Sequence, residues 1–149
     1  MTPRRINPPH YCLVSVLLMI AFSRLAWGGP LLPAPWPWLG IVAIGAGVLG
    51  ATLAARQFAQ AGTNIVPLTQ STALVTTGMF RHTRNPMYLG MTLTLAGLAV
   101  LLNRVLPWLI LPVFVAILRW HFIRHEESLM AQTFGDRYLE YAARVRRWM

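Results

Sequence analysis

Lysine does not occur in this 149-residue chain, and acidic residues and cysteine are nearly missing. Only four residues are Asp or Glu, and 11% of the chain is charged, whereas about a quarter of a typical soluble domain is charged. Residues with hydrophobic side chains make up 56% of the sequence. This balance excludes an ordinary soluble domain and predicts an all-α integral membrane protein, organised as a single domain over residues 1–149.

The few polar residues restrict the classes of function further. A single cysteine, Cys12, excludes an internal disulfide and a cysteine-based metal cluster. The 13 arginines give a formal net charge of +9, which in a soluble protein would suggest nucleic-acid binding. Here the arginines lie at the ends of apolar segments, so they indicate membrane topology, and no nucleic-acid partner is expected. The lysine-free composition, rich in Arg, Ala and Pro, favours a bacterial inner membrane.

Four apolar segments have about the length that a membrane-spanning helix needs. We expect the first to be retained, because no convincing small-residue cleavage site follows it. Only Asn103 and Arg104 separate the third and fourth segments, which predicts a tight helical hairpin. Pro112 should kink the fourth helix or free a backbone carbonyl. The predicted spans are residues 10–27, 37–55, 87–102 and 105–122.

The second span and the stretch after it have distinct compositions. Small residues form one surface of the span, which predicts close packing against another helix, with a homodimer as the alternative. The polar stretch that follows contains enough apolar residues to form an ordered cap on the membrane face. The glycines of the small-residue surface are Gly40, Gly45, Gly47 and Gly50.

Arginine distribution predicts the orientation of the chain. Only Arg104 lies in a loop on one side, whereas the N-terminus, the loop at 56–86 and the C-terminal tail hold most of the others. Both termini are therefore predicted to be cytoplasmic. The tail holds all four acidic residues and has helical spacing, so we expect a C-terminal amphipathic helix on the cytoplasmic surface. Its arginines at 144, 146 and 147 would bind anionic lipid.

The stretch GMFRHTRNPMYLG, residues 78–90, places polar groups at the start of the third span. Closure of the hairpin should bring Arg84 opposite Glu126 and Glu127. One salt bridge that only fixes the hairpin would leave a second carboxylate, which suits the ammonium group of a zwitterion such as an amino-acid moiety. His121 and His125 share a helix face, but without a clear third ligand no metal site is predicted.

Two linked motifs over residues 58–148 resemble the integral-membrane methyltransferases typified by isoprenylcysteine carboxyl methyltransferase and phosphatidylethanolamine N-methyltransferase. The first motif of that family is a glycine, an aromatic residue and Arg-His-Pro-x-Tyr-x-Gly. It is matched by Gly78, Phe80 and RNPMYLG at 84–90, with Asn85 in place of the histidine. The second motif is matched by Glu126-Glu127, Leu129, Phe134-Gly135, Tyr138, Tyr141 and Val145-Arg146-Arg147.

The resemblance implies an S-adenosylmethionine-dependent methyltransferase that acts on a small lipophilic acceptor: an isoprenylcysteine-like carboxylate, a thiol or a lipid amine. Its other partners would be membrane lipids. The cofactor would lie between residues 78–90 and 119–148 at the cytoplasmic face. Arg84 and Arg124 are the catalytic candidates, because arginine can orient an anionic acceptor. The candidates for binding the cofactor are Gly78, Asn85, Pro86, Tyr88, Gly90, His121, Glu126 and Glu127.

The alternative is a non-enzymatic four-helix membrane protein, a carrier or an assembly factor. In such a protein the charges would only fix the hairpin and set the topology. No acidic residue lies within a predicted span, which argues against a carrier coupled to cations or protons. Asn85 limits the chemistry of an enzyme, since asparagine can form hydrogen bonds but cannot act as a base.

Overall fold

The computed structural model describes residues 7–25, 29–62 and 71–148, and the regular elements within them are helical. All four apolar segments predicted as helices form helices, which confirms the all-α class. Short 3₁₀ turns occur at Trp36–Trp38 and Gly78–Arg81. The α-helices are α1 (Pro8–Arg24), α2 (Leu39–Gln60), α3 (Pro86–Leu102), α4 (Val105–Ile117), α5 (Arg124–Phe134) and α6 (Asp136–Arg144), with a π-helical segment, Leu118–Ile123, between α4 and α5.

Helix boundaries differ from the predicted spans by a few residues. Prolines stand in the first turn of α1 and α3, where a missing N–H group removes no intrahelical hydrogen bond. The second helix continues to Gln60 instead of ending at residue 55, since no glycine or proline interrupts it. The first helix ends at Arg24, and its predicted end at Trp27 lies outside the described residues.

Four glycines let α2 and α3 approach at backbone distance. A Cβ atom added to Gly47 would lie 2.6 Å from the carbonyl oxygen of Gly90, and one added to Gly90 would lie 2.6 Å from that of Gly47. Gly40 and Gly97 form a second reciprocal contact along the same helices. Packing by small residues is therefore confirmed for this face of α2. The homodimer stays a prediction, with Gly45 open to the surroundings.

The connection between α3 and α4 is the predicted tight hairpin. Asn103 ends α3 in the left-handed conformation (φ 51°), which asparagine tolerates better than most residues. Its side-chain oxygen accepts hydrogen bonds from the backbone N–H groups of Leu31 (3.0 Å) and Leu32 (2.8 Å). Its amide nitrogen donates to the carbonyl of Leu32 (2.8 Å). One side chain thus joins the loop after α1 to the hairpin.

The fourth helix continues beyond residue 122, where the predicted span ends. The chain remains helical from Val105 to Phe134, because neither glycine nor proline occurs between residues 113 and 134 to stop it. The break comes at Gly135, whose φ of 53° favours glycine. The amphipathic part is α6, which buries Tyr138 and Tyr141. Two helices thus follow the π-helical segment, where one was predicted. A kink at Pro112 stays a prediction.

Apolar side chains fill the interior and also cover much of the outer surface. Met19, Leu95 and Phe114 are buried in one core cluster. In contrast, Leu17 is 59% exposed and Val42 is 68% exposed. Large exposed apolar surfaces mark contact with lipid or protein. Within the described ranges, two helical stretches, Trp36–Gln60 and Val105–Phe134, are long and apolar enough to cross a membrane, and α3 is apolar but shorter.

The described part of the connection between α2 and α3 packs on α2. Phe80 from the 3₁₀ turn is buried against Ala54 and Phe58, with the two phenyl rings 5.0 Å apart. Gln57 accepts a hydrogen bond from the backbone N–H of Met79 (3.3 Å). This part is the ordered cap that the sequence predicts, while residues 63–70 lie outside the described residues. The cap fixes the position at which α3 begins.

The glycine contacts lead to opposite predictions for two alanine substitutions in α2. Gly47→Ala should lower the melting temperature, because overpacking against α3 typically costs about 1–3 kcal/mol. Gly45→Ala is the matched control, since its added Cβ has open space and alanine favours a helix by up to about 1 kcal/mol over glycine. Thermal melts in detergent measure both changes. A variant at Gly47 that melts no lower than the variant at Gly45 would contradict the described contact.

Candidate active site

A cavity of about 330 Å³ lies at the end of the helix bundle where α1 and α3 begin and α2 ends. Its apolar lining residues include Phe58, Val75, Met87, Met91 and Met130. Its polar lining residues come from the start of α3 and from α5 and α6, and they are Arg84, Asn85, Tyr88, Glu126, Glu127, Tyr138 and Tyr141.

Glu127 is held by two arginines. Arg147 forms a bidentate pair with it, with Nε 3.0 Å from Oε1 and Nη2 2.6 Å from Oε2. Nη1 of Arg84 lies 3.3 Å from Oε1. The side chains of Glu127 and Arg84 are 17% and 15% exposed, so both charges are largely removed from solvent and depend on each other. The hydrogen bond to Glu127 raises the pKa of the Arg147 guanidinium.

Glu126 has a different environment. Its Oε1 accepts a hydrogen bond of 2.7 Å from the hydroxyl of Tyr88. Among the described residues, no arginine or histidine forms a salt bridge with it. Hairpin closure was predicted to bring Arg84 opposite both glutamates, and in the structure its ion pair is with Glu127. Glu126 is therefore the carboxylate that remains available to a cationic ligand.

Arg84 has donors that the described residues do not use fully. Its Nη1 donates to the hydroxyl oxygen of Tyr138 (3.3 Å) as well as facing Glu127. Its Nε is buried and finds no hydrogen-bond partner among the described residues. A buried donor without a partner is costly, so it often marks a place where a ligand completes the structure. A carboxylate is the natural partner of such a guanidinium.

Asn85 uses its amide nitrogen for a contact within the protein, and its predicted role in binding a cofactor stays a prediction. Nδ2 donates to the carbonyl of Arg147 (3.0 Å), and the hydroxyl of Thr83 donates to the same carbonyl (3.2 Å). Asn85 still lines the cavity, and its side-chain oxygen is the atom left to accept a hydrogen bond there. Thr83 was not among the predicted residues. A short polar residue beside the RNP motif is the only sequence signal that could have found it.

Two tyrosines of α6, Tyr138 and Tyr141, also line the cavity. The hydroxyl of Tyr141 donates to the carbonyl of Phe80 (2.7 Å), which ties α6 to the turn before α3. Burial raises the pKa of Tyr141 to about 12, so the hydroxyl remains a donor at neutral pH. Burial also raises the pKa of Tyr138, and the charge of Glu127 adds to that effect. Both tyrosines appeared in the sequence only as parts of a motif and of a helical face.

Two predicted glycines lie outside the cavity lining. Gly90 is buried in the contact between α2 and α3, where it permits the close approach of the helices. Gly78 has a φ of 59° and lies against Gln57, so a side chain there would collide with that residue. In the structure, the two positions have evident packing and conformational roles. Any contact of either glycine with a cofactor stays a prediction.

His121 and Arg124 are also placed away from the cavity lining. Both side chains are exposed, and the ring of His121 packs edge-on against Phe122 at 5.0 Å. Pro86, by contrast, lines the cavity as predicted. Within the described ranges, no three His, Cys, Asp or Glu side chains are grouped so that they could hold a metal ion. The polar chemistry of the cavity thus rests on arginine, carboxylate, amide and phenol groups.

Arg147 is another residue of the site that the sequence interpretation missed. It was predicted to bind anionic lipid together with Arg144 and Arg146, because the three lie in one basic cluster. The structure pairs it with Glu127 instead. The signal in the sequence was weak, since nothing in the cluster distinguishes the arginine that turns inward. The number of residues between α6 and each arginine predicts which arginine reaches Glu127 only when the fold is known.

Comparison with known proteins fits this architecture. Residues 36–137 match the phospholipid methyltransferase family, and because the match covers about two-thirds of the chain, the protein belongs to that family. The chain is also 28% identical over 145 residues to protein-S-isoprenylcysteine O-methyltransferase B of Arabidopsis thaliana, covering 91% of this chain and 71% of the plant protein. A protein of Haemophilus influenzae described as uncharacterized is 35% identical over 63 residues, which is 42% of this chain and the whole of that protein.

These matches confirm the resemblance seen in the sequence motifs. Membership of the family, together with the plant relative, indicates a membrane methyltransferase. The matched range includes α2 to α5 and therefore both glutamates and the RNP motif. It ends before Tyr138, Tyr141 and Arg147.

The Tyr141 contact gives a test of the site's construction. Tyr141→Phe should lower the free energy of unfolding by about 1 kcal/mol or more at neutral pH, because the buried carbonyl of Phe80 loses its donor. The native pKa of Tyr141 is raised, so the stability it contributes is complete below about pH 10 and is lost as the pH rises toward 12. The difference in the free energy of unfolding between the parent and Tyr141→Phe should therefore become smaller over that range.

Thermal melts from pH 7 to pH 12 measure this difference. Tyr11→Phe is the control, since it removes the same atom from a half-buried tyrosine of α1. A constant difference between parent and Tyr141→Phe across the range would show that this hydroxyl does not titrate as described.

Proposed function

We propose that this protein transfers a methyl group from S-adenosylmethionine to a small lipophilic acceptor at the cytoplasmic face of a membrane. The observation that supports this best is that two charged groups in the lining of one cavity could each still bind a ligand group. Within the described part of the chain, Glu126 has no cationic partner, and Arg84 has a buried donor that lacks an acceptor. Both line a cavity whose other lining residues include phenylalanine, valine and methionine side chains.

The residues present fit the cofactor. The amino-acid end of S-adenosylmethionine carries an ammonium and a carboxylate, which are complementary to Glu126 and Arg84. Glu127 would hold Arg84 in place for the carboxylate. Asn85 offers an oxygen, and Tyr88, Tyr138 and Tyr141 offer aromatic surface and phenol groups in the lining of the same cavity. When bound, the cofactor supplies an activated methyl group on a sulfonium, so the protein needs to orient and desolvate the reactants more than to activate them.

The acceptor would be bound by the apolar residues of the cavity lining. No histidine lies among the described residues that line the cavity. An acceptor that arrives as a carboxylate or a thiolate needs no general base, so an isoprenylcysteine-like carboxylate or a thiol suits the site directly. A lipid amine would have to lose a proton first, and the carboxylates at 126 and 127 are the groups that could accept it. Arg84 is better placed than the exposed Arg124 to orient an anionic acceptor.

The apolar helices and the arginine distribution support an integral membrane location. We infer four spans, formed by α1, α2, α3 and α4, with the cavity and both termini on the cytoplasmic side. Most arginines lie at the ends of the helices near the cavity, and Arg104 lies in the hairpin at the opposite end. Such a bias sets the orientation of bacterial inner-membrane proteins. The chain would act as one domain, with membrane lipids as its surroundings.

The proposed orientation predicts the behaviour of reporter fusions. A fluorescent protein fused after residue 149 should fluoresce, and alkaline phosphatase at the same position should be inactive, because the C-terminus would be cytoplasmic. Fusion after Asn103, in the hairpin between α3 and α4, should give the reverse pattern. Active phosphatase at the C-terminus would contradict the orientation and would move the cavity to the other side of the membrane.

Binding of the cofactor product tests the function itself. Calorimetric titration of S-adenosylhomocysteine into the detergent-purified protein should give saturable binding. Glu126→Gln should bind at least roughly tenfold more weakly, the equivalent of one charge-assisted hydrogen bond. The substitution keeps an oxygen for the hydroxyl of Tyr88 but removes the charge that would hold the ammonium.

Glu140→Gln is the matched control, because it removes the same charge from an exposed position on α6. It should bind like the parent. Absence of binding by the folded parent, both in detergent and in lipid nanodiscs, would refute the proposed function and favour the non-enzymatic alternative. Saturable binding followed by transfer of labelled methyl groups to a membrane lipid extract would identify the acceptor.

A further inference from the structure

The residues after α6 are held against the start of α3 by hydrogen bonds to two main-chain carbonyls of the tail. The backbone N–H of Arg84 donates to the carbonyl of Arg146 (3.0 Å). Thr83 and Asn85 both donate to the carbonyl of Arg147, at 3.2 Å and 3.0 Å. Three successive residues of the RNP region therefore clamp two successive peptide groups of the tail. The side chain of Arg147 starts from a fixed backbone position.

Beyond this clamp, the tail is anchored a second time. Trp148 packs against the core cluster that contains Tyr88 and Phe122. The segment is thus fixed on both sides of Arg147, by the hydrogen bonds before it and by apolar packing after it. A guanidinium held in this way loses less conformational freedom when it forms a bidentate pair.

Among the described residues, the side-chain hydrogen bonds of Arg147 go to Glu127. Arg147 does not line the cavity, whereas Glu127 does. Its two hydrogen bonds engage both carboxylate oxygens of Glu127, while Nη1 of Arg84 lies 3.3 Å from Oε1. The neighbouring arginines behave differently. The side chain of Arg146 is exposed, and Nε of Arg144 donates to a carbonyl within its own helix.

Sharing of Glu127 determines what Arg84 can do. If Arg84 alone had to compensate the largely buried carboxylate, its guanidinium would be drawn fully into that pair. Because Arg147 takes both oxygens of the carboxylate, Arg84 touches only one of them and keeps its buried Nε without a partner among the described residues. The second arginine therefore keeps the first available for a ligand.

We propose that Arg147 is a positioning residue of the cofactor site, which holds Glu127 so that Arg84 remains free to bind the carboxylate of the cofactor. This inference rests on the proposed function. It assigns the C-terminal tail to the binding site, although the tail does not touch the cavity. Asn85 and Thr83 would have a structural role in the same site, because their hydrogen bonds fix the backbone from which Arg147 reaches Glu127.

A double-mutant cycle with S-adenosylhomocysteine tests this inference. The variants are Arg147→Gln, Glu127→Gln and the two combined, and each is titrated by calorimetry after a thermal melt. Arg147→Gln should weaken binding roughly tenfold, the equivalent of one charge-assisted hydrogen bond. The combined variant should bind no more weakly than Glu127→Gln alone, because Arg147 would act only through Glu127.

Two further variants separate positioning from general effects of charge and folding. Arg146→Gln removes the same charge from the adjacent exposed position and should bind like the parent. Arg147→Lys keeps the charge but not the bidentate geometry, so its affinity should fall between those of the parent and Arg147→Gln. If Arg147→Gln does not fold, the cycle is run with Arg147→Lys, for which the same coupling to Glu127 is expected.

Each outcome decides the inference. Additive losses in the combined variant would overturn it, since they would show an effect of Arg147 that does not pass through Glu127. Equal affinity in Arg147→Gln and Arg146→Gln would also overturn it while leaving the proposed function intact, because the parent would still bind. A folded parent that binds no S-adenosylhomocysteine would refute the proposed function, and this inference with it.

Discussion

The carboxylate of Glu127, shared between Arg84 and Arg147, joins three parts of the chain that are distant in sequence. It connects the residues just before α3, the first turn of α5 and the tail after α6. Charges that are largely removed from water cost free energy unless they are paired and hydrogen-bonded. The ion cluster therefore forms only when all three parts are in place, and the shape of the cavity depends on it.

Around this cluster the cavity separates two kinds of chemistry. Glu127 forms ion pairs with Arg84 and Arg147, and Glu126 adds a second carboxyl group whose pKa is raised by burial. Other lining residues are phenylalanine, valine and methionine side chains, and the outer surfaces of the helices are also apolar. The function proposed above needs a charged methyl donor and a lipophilic acceptor. The cavity lining contains residues complementary to each.

Much of the fold and of the candidate site could be predicted from the sequence, and the features that could not be predicted have physical reasons. Apolar segment length and the two-residue connection at Asn103 were enough to predict the helices and the hairpin. Hairpin closure then placed Arg84 near the glutamate pair. The sequence could not show that Gly90 serves a helix contact, because a glycine in a motif looks the same whether it faces a ligand or another backbone. Nor could it show which arginine of the tail turns inward, since that depends on the position of α6.

The π-helical segment Leu118–Ile123 has a consequence for how α5 is oriented. A π-bulge inserts one residue into an α-helix, and each residue of an α-helix turns the chain by about 100°. A helical wheel that continues α4 through α5 without the extra residue would therefore place Glu126 and Glu127 on the wrong face of α5. Loss of a single residue from the segment would rotate both carboxylates away from the cavity without changing any side chain that lines it. Chain length between α4 and α5 is thus as constrained as residue identity.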